Sequence, residues 1–148
     1  MYITRKAYEE IINTVPDYPP EIGGILGGYD DIICCSAFDH GMWQKNQKKC
    51  HYTPDVEYLN SCIADWEASG IDFYGIFHTH FFGIDTLSEG DRQYIEKIMR
   101  AMPETREKLY FPVVVLPERK IISYVCRRKH GKTEIAEDSI YLIERLKL

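Results

Sequence analysis

The chain has 148 residues, 45% of them hydrophobic and 28% charged, and its formal net charge is −5. This composition is typical of a globular domain and excludes a disordered chain, and the length suffices for a domain that buries its own core. The acidic balance, with no long basic run, argues against nucleic acid as the main partner. We therefore expect a single domain over residues 1–148.

The N-terminal residues predict neither a signal peptide nor a membrane anchor. The chain turns charged at once, at Arg5 and Lys6, and it has no uninterrupted run of roughly 18 apolar residues. Its five cysteines are an odd number without a Cys-x-x-Cys motif, so reduced thiols are expected. These features favour a cytoplasmic protein without a membrane partner, whereas the oligomeric state is not legible in the sequence.

The first predicted element is a short helix from Thr4 to about Asn13. Thr4 suits the N-cap, and apolar residues recur at helical spacing, namely Tyr8, Ile11, Ile12 and Val15. The prolines that follow, from Pro16 to Pro20, end the helix.

Two strands are predicted next, over residues 22–28 and 32–38, and a turn at residues 29–31 joins them as an antiparallel hairpin. Glycines surround Ile25 and Leu26, and they would let other backbone or a substrate chain come close. Glu21 precedes the first strand, and by itself it would be a solvated residue at a strand edge.

Residues 39–52 are polar and lack periodicity. The stretch Gly41–Lys49 is predicted to be a solvated surface loop, with a substrate or partner contact through Trp43 as the alternative. Cys50 and His51 suggest a second metal site only weakly, because no partner pair with ligand spacing accompanies them. Thr53, Pro54 and Asp55 then predict a helix start, and the helix ends at Ser69-Gly70. Its inner stripe is predicted to be Val56, Leu59, Ile63 and Trp66.

A buried strand is predicted over residues 71–77, and His78 and His80 stand at its end. Side chains two positions apart share one face of a strand, so both imidazoles can bind one metal ion. After seven intervening residues come Ser88 and then Asp91. Two histidines and one carboxylate are typical ligands of a catalytic zinc site that keeps a position open for water. The alternative is structural, because Ser88 and Asp91 also suit the first turn of a helix.

The remaining chain predicts a helix to about Met102, a hairpin of residues 111–116 and 121–128, and a last helix from Asp138 or Ser139. The inner face of that last helix is predicted to be Ile140, Ile143 and Leu146.

In combination, these motifs resemble the signature of the JAMM (MPN+, Mov34/PAD-1-like, JAB domain) zinc metalloproteases in their prokaryote-like, stand-alone form. The resemblance rests on Glu21 before a Gly-rich strand, on His78-x-His80, and on Ser88-x-x-Asp91 after seven further residues. The resemblance covers nearly the whole chain from Glu21 onward, and one position departs from it, since Phe81 stands where the family usually has proline. It implies the MPN fold, a mixed α/β domain with a curved, mostly antiparallel sheet flanked by helices and the metal at one sheet edge.

The resemblance also implies a zinc-dependent peptidase or isopeptidase with one Zn²⁺ per chain. His78, His80 and Asp91 would be its ligands, Glu21 the general base, and Ser88 a hydrogen-bond donor to the water or the oxyanion. The implied substrate is the tail of a ubiquitin-like protein or its conjugates, whose small terminal residues would suit a narrow, Gly-lined channel. Two alternatives stay open, a non-catalytic MPN-type scaffold and a small-molecule amidase with the same zinc site. Which modifier is recognised, and in which pathway, is not legible.

Overall fold

The computed structural model describes residues 1–42 and 51–146, which form three helices and nine strands. The helices are α1 Arg5–Thr14, α2 Val56–Ala68 and α3 Glu89–Ala101. The strands are β1 Tyr2–Thr4, β2 Gly23–Tyr29, β3 Ile32–Asp39, β4 Asp72–His80, β5 Lys108–Tyr110, β6 Val113–Val115, β7 Lys120–Lys129, β8 Lys132–Asp138 and β9 Tyr141–Ile143. The predicted mixed α/β architecture is confirmed.

All strands belong to one sheet in the order β5-β7-β6-β4-β2-β3-β1-β9, with β8 attached to β7. The long pairings, β2 with β3, β2 with β4 and β7 with β8, are antiparallel. The parallel pairings of β4 with β6 and of β1 with its two neighbours are short. Strand β4 lies inside the sheet between β2 and β6, so the predicted site lies at the end of an interior strand and not along an outermost strand.

The two faces of the sheet carry separate hydrophobic cores. Helix α1 packs on one face, where Ile11 and Leu26 are buried. Helices α2 and α3 cover the other face, where Ile25, Leu59 and Ile95 are buried. Consecutive residues Ile25 and Leu26 of β2 thus enter opposite cores, as the alternation of side chains along a strand requires. Helices thus cover both faces of the sheet, and most residues of β4 are buried.

Most predicted elements are confirmed, with shifted ends. Thr4 caps α1, and Ser88 caps α3. Helix α2 begins two residues later than predicted, since Asp55 rather than Thr53 is its N-cap. Val56 is 61% exposed, so its place in the predicted inner stripe is wrong.

The predicted last helix is also wrong, because Tyr141–Ile143 forms strand β9. This strand pairs in parallel with β1. Strand β1 was not predicted either, because it is only three residues long. The terminal ammonium of Met1 donates to the Asp138 carboxylate and to the Ser139 carbonyl, which holds the two segments together. A short helix is only marginally stable through its own hydrogen bonds, so pairing with β1 prevails. Strand β8 was likewise not predicted. None of the helices in the described part of the chain has the length and apolar character to cross a membrane.

Candidate metal centre

His78 and His80 lie at the C-terminal end of β4. This strand runs three residues further than predicted. Their Nε2 atoms are 2.9 Å apart. The carboxylate of Asp91 faces both rings, with Oδ1 3.2 Å from His78 Nε2 and Oδ2 3.2 Å from His80 Nε2. The structure thus brings the three predicted metal ligands together, two from the end of β4 and one from the first turn of α3.

Asp91 is placed by the first turn of α3. Ser88 Oγ accepts a hydrogen bond from Asp91 N at 3.1 Å, and Asp91 Oδ2 accepts one from Ser88 N at 2.8 Å, which is a capping box. Burial by itself would raise the pKa of Asp91, but the two imidazoles that face it and the hydrogen bond from Ser88 N hold it well below its usual range. The capping and site roles of Ser88 are compatible, because its oxygen accepts in the cap while its hydroxyl hydrogen can donate elsewhere.

The loop after β4 fixes the orientation of the second imidazole. His80 Nδ1 lies 3.2 Å from the carbonyl oxygen of Ile84. Phe81 is buried, and the chain then reverses through Phe82 (φ 60°) and Gly83 (φ 70°). Phe81, where a proline was expected, therefore anchors a tight turn that delivers the Ile84 carbonyl. This geometry suits a tautomer in which Nδ1 donates its proton and Nε2 keeps its lone pair for a metal.

The donor set fits a metal ion. Imidazole nitrogens and a carboxylate oxygen from His78, His80 and Asp91 all lie within 4.8 Å of one another. Within residues 1–42 and 51–146, no other group of three or more such donors is found. Two imidazoles, a carboxylate and one open position are the ligands of a catalytic zinc site, and the second histidine has the backbone partner that zinc-bound histidines usually have. Cys50 of the weakly suggested second site lies outside the described residues, as does Trp43.

Glu21 lies in the same pocket as His78, Ser88 and Asp91. Its Oε2 accepts a hydrogen bond from Tyr52 N at 3.3 Å. Burial raises the pKa of Glu21, and the nearby imidazoles offset this only in part. The structure therefore places this carboxylate beside the candidate ligands, as the sequence motif predicted.

Thr79, between the two histidines, holds Glu21 in place from the opposite face of β4. Its Oγ1 accepts from Ile22 N at 3.0 Å and lies 3.3 Å from Ile22 O, and its backbone N donates to the same carbonyl at 2.9 Å. Thr79 is fully buried. Three contacts thus tie the residue next to Glu21 to the strand that carries the histidines. The sequence signal for this role was available, since a hydroxyl on the inward face of an apolar strand must find a partner.

Tyr52 and Asp39 form a second support that the sequence analysis missed. The Tyr52 hydroxyl donates to Asp39 Oδ2 at 2.6 Å. The buried Asp39 carboxylate also accepts from Gly41 N at 2.8 Å and from Asp55 N at 2.9 Å. Asp39 therefore organises the chain that presents Tyr52 N to Glu21. No sequence pattern links these positions, because the contacts depend on how Gly41, Tyr52 and Asp55 are brought to the end of β3.

The glycines of β2 are not open to a substrate. A Cβ on Gly23 would lie 2.5 Å from the Tyr52 ring, and one on Gly24 would lie 2.7 Å from the Phe77 ring. Aromatic side chains of the protein itself fill the space that the missing Cβ atoms leave, so the expected Gly-lined channel is wrong.

A pocket of about 490 Å³ adjoins the candidate ligands. Its polar residues are Glu21, His51, His78, Ser88, Glu89 and Asp91, and the rest of its wall comes from Gly90 and from Tyr52, Pro54, Ile76, Tyr94, Ile95 and Phe111. A hydrophobic pocket with a few convergent polar groups is the usual form of a site for a small molecule or a substrate side chain.

Comparisons with known proteins support the fold. No family model matches the chain, and no curated protein matches it. Among solved structures, a protein from Desulfitobacterium hafniense is 21% identical with a TM-score of 0.65, covering 99% of this chain and 94% of that one. A JAB1/MPN domain protein from Archaeoglobus fulgidus is 18% identical with a TM-score of 0.56, covering 97% and 100%. A protein from Salinibacter ruber is 14% identical with a TM-score of 0.57, covering 97% and 92%. At these identities the likeness establishes an MPN/JAB-like fold.

Proposed function

We propose that the protein is a zinc-dependent peptidase or isopeptidase of the JAMM type. The observation that carries the proposal is the convergence of His78, His80 and Asp91 on one point, with Glu21 in the same pocket. An MPN/JAB-like fold supports it, although a fold by itself does not establish an activity. One zinc ion per chain would be held by the two Nε2 atoms and the Asp91 carboxylate.

The proposed reaction is hydrolysis of an amide bond. A bound zinc ion would supply Lewis acidity, which lowers the pKa of water and polarises a carbonyl group. Glu21 takes a proton from the attacking water and passes it to the amine that leaves when the carbon–nitrogen bond breaks. The Ser88 hydroxyl donates a hydrogen bond to the carbonyl oxygen as negative charge develops there. The products are a carboxylate and a free amine.

We further propose that the substrate is the tail of a ubiquitin-like protein, cleaved from a conjugate or a precursor in the cytoplasm. The seven residues between His80 and Ser88 are too few for an inserted domain, which suits a compact, stand-alone enzyme. Strand β4 is hydrogen-bonded on both sides, so such a tail would bind across the end of β4 rather than as an added neighbour of it. The apolar pocket favours a second candidate, a small-molecule amidase that uses the same residues.

The first test is metal content, measured by elemental analysis on the wild type and on the His78→Ala, His80→Ala double variant. About one zinc per wild-type chain, lost in the double variant, is expected. Absence of zinc in the wild type after incubation with zinc would overturn the proposal and leave a non-catalytic scaffold.

The second test separates binding from chemistry. The Glu21→Gln variant is expected to keep its zinc and to lose about 10²–10⁴-fold in amide hydrolysis, since it removes the general base. Glu9→Gln, an exposed substitution on α1, is the matched control and should retain full activity. Activity on a folded ubiquitin-like fusion, compared with activity on short amides, distinguishes the peptidase from the small-molecule amidase. Full activity of Glu21→Gln on both would refute the mechanism.

A further inference from the structure

The pocket beside the candidate ligands is lined by polar and by apolar residues. Its polar side consists of Glu21, His78, Ser88 and Asp91, and its apolar side chains include Ile76, Tyr94, Ile95 and Phe111. Ile76 precedes His78 by two residues on β4, and Tyr94 and Ile95 follow Asp91 by about one turn on α3, so the apolar residues adjoin the candidate ligands. A group that reaches the polar side therefore has an apolar surface next to it, on which its neighbouring atoms can be buried.

We propose that this pocket binds a bulky apolar side chain of the substrate, next to the amide bond that is hydrolysed. The inference rests on the proposed hydrolytic function and adds a specificity to it. Burial of such a side chain supplies affinity in proportion to the apolar area removed from water. The polar side then fixes the orientation of the amide, in the same way that a small number of polar groups orients the ligand in most ligand pockets.

The size of the pocket argues against a glycine as the residue that fills it. A volume of about 490 Å³ lies within the roughly 300–1,000 Å³ of typical ligand pockets. A residue without a side chain would leave most of the apolar surface in contact with water. The rings of Tyr52 and Phe77 already occupy the space over Gly23 and Gly24, so the space available to a substrate lies on the α3 side.

The charge of the pocket argues against an acidic occupant. Three carboxylates, those of Glu21, Glu89 and Asp91, lie along it. A substrate residue with its own carboxylate would be repelled there, because like charges in a partly buried site destabilise each other. Tyr94 adds no further negative charge, because burial and the nearby Asp39 raise the pKa of its phenol to about 12.

Tyr94 sets the size limit of the pocket. It also lines a smaller apolar cavity of about 80 Å³ between α2 and α3, together with Ile76 and Pro54. Truncation of Tyr94 would join the two spaces, so a larger side chain should then be accepted. Tyr58 on α2 lines neither space, which makes it the matched control.

The binding test uses neutral probes that differ only in side chain, N-acetylglycinamide, N-acetylleucinamide and N-acetylphenylalaninamide. Methyl resonances of Ile76 and Ile95 are followed by NMR, in metal-free and in zinc-loaded protein, so the readout does not depend on catalysis. The leucine and phenylalanine amides are expected to shift these methyls and to bind about tenfold or more tightly than the glycine amide. Equal affinity for all three, or no shift of either methyl, would overturn the proposal.

The variant test asks whether Tyr94 sets the limit. Tyr94→Ala is expected to bind N-acetyl-naphthylalaninamide better than the phenylalanine amide, whereas Tyr58→Ala keeps the wild-type order. Tyr94→Leu, a smaller truncation, replaces Tyr94→Ala if that variant does not fold. It is expected to change the order of the two affinities in the same direction. The wild-type order in every folded Tyr94 variant would refute the role of Tyr94.

The cleavage test assigns the side of the amide bond. Peptides with Gly, Leu, Phe or Glu next to the scissile bond, first on the acyl side and then on the amine side, are digested by zinc-loaded protein. Leu and Phe are expected to raise kcat/KM about tenfold over Gly on one side, and Glu to be rejected there. If kcat/KM were the same for all four residues on both sides, while cleavage still depended on Glu21, the pocket proposal alone would be refuted. Selective binding of the apolar amides without cleavage of any peptide would refute the proposed hydrolysis alone.

Discussion

The Thr79→Val substitution tests how Glu21 is held beside the candidate ligands. Valine has nearly the shape of threonine, so the change removes the hydroxyl without leaving a cavity. Ile22 N then loses its 3.0 Å acceptor, while the Ile22 carbonyl keeps the backbone bond from residue 79 at 2.9 Å. Ile22 is only 4% exposed, so water cannot replace the lost partner.

A buried N–H without a partner costs about 1–3 kcal/mol, a large share of the roughly 5–15 kcal/mol that stabilises a typical domain. For a chain of this size, the Tm should fall by roughly 2–12 °C. Urea unfolding should give the same loss with an unchanged m-value. Zinc content should be retained and amide hydrolysis reduced, because the metal donors stay in place while the residue next to Glu21 is released.

The matched control is Thr133→Val on β8, which pairs only with β7. It is expected to change stability by less than about 0.5 kcal/mol, as surface substitutions usually do, and to leave hydrolysis unchanged. If Thr79→Val were as stable and as active as Thr133→Val, the proposed anchor would be refuted.

Three further predictions concern the supports of the site. Tyr52→Phe keeps the ring but removes the hydrogen bond to the Asp39 carboxylate, so the free energy of unfolding in urea should fall by about 1.5–3 kcal/mol. A loss of hydrolysis at saturating zinc would show that Glu21 is positioned through this residue. An unchanged free energy of unfolding would contradict the proposed support. Arg128 donates to carbonyls at the C-terminal end of α3, so Arg128→Ala should lower the Tm clearly more than Arg127→Ala, and equal effects would show that this cap is weak. A chelator should lower the Tm of zinc-loaded protein, by an amount that corresponds to about 2.7 kcal/mol when zinc was present at 100 times its Kd; a Tm that is insensitive to the chelator would show that no stabilising metal was bound.

Local patterns explain why much of the fold was predictable. The caps at Thr4 and Ser88 were found because a capping residue acts within one turn of its own helix. The β2–β3 hairpin was found for the same reason, since its turn and its strands are contiguous. Strand β9 was missed because its partner β1 lies at the other end of the chain, and only the tertiary structure brings them together.

The sequence by itself determined which candidate metal ligands the chain offers, because the kind and spacing of His78, His80 and Asp91 already predict a group that can hold a metal ion. It also determined the face that the two histidines share, since that follows from the period of a strand. Only the tertiary structure decided what surrounds them. The Thr79 anchor, the Tyr52–Asp39 support and the apolar pocket each join segments distant in the chain, and such contacts arise from packing, which no local pattern encodes.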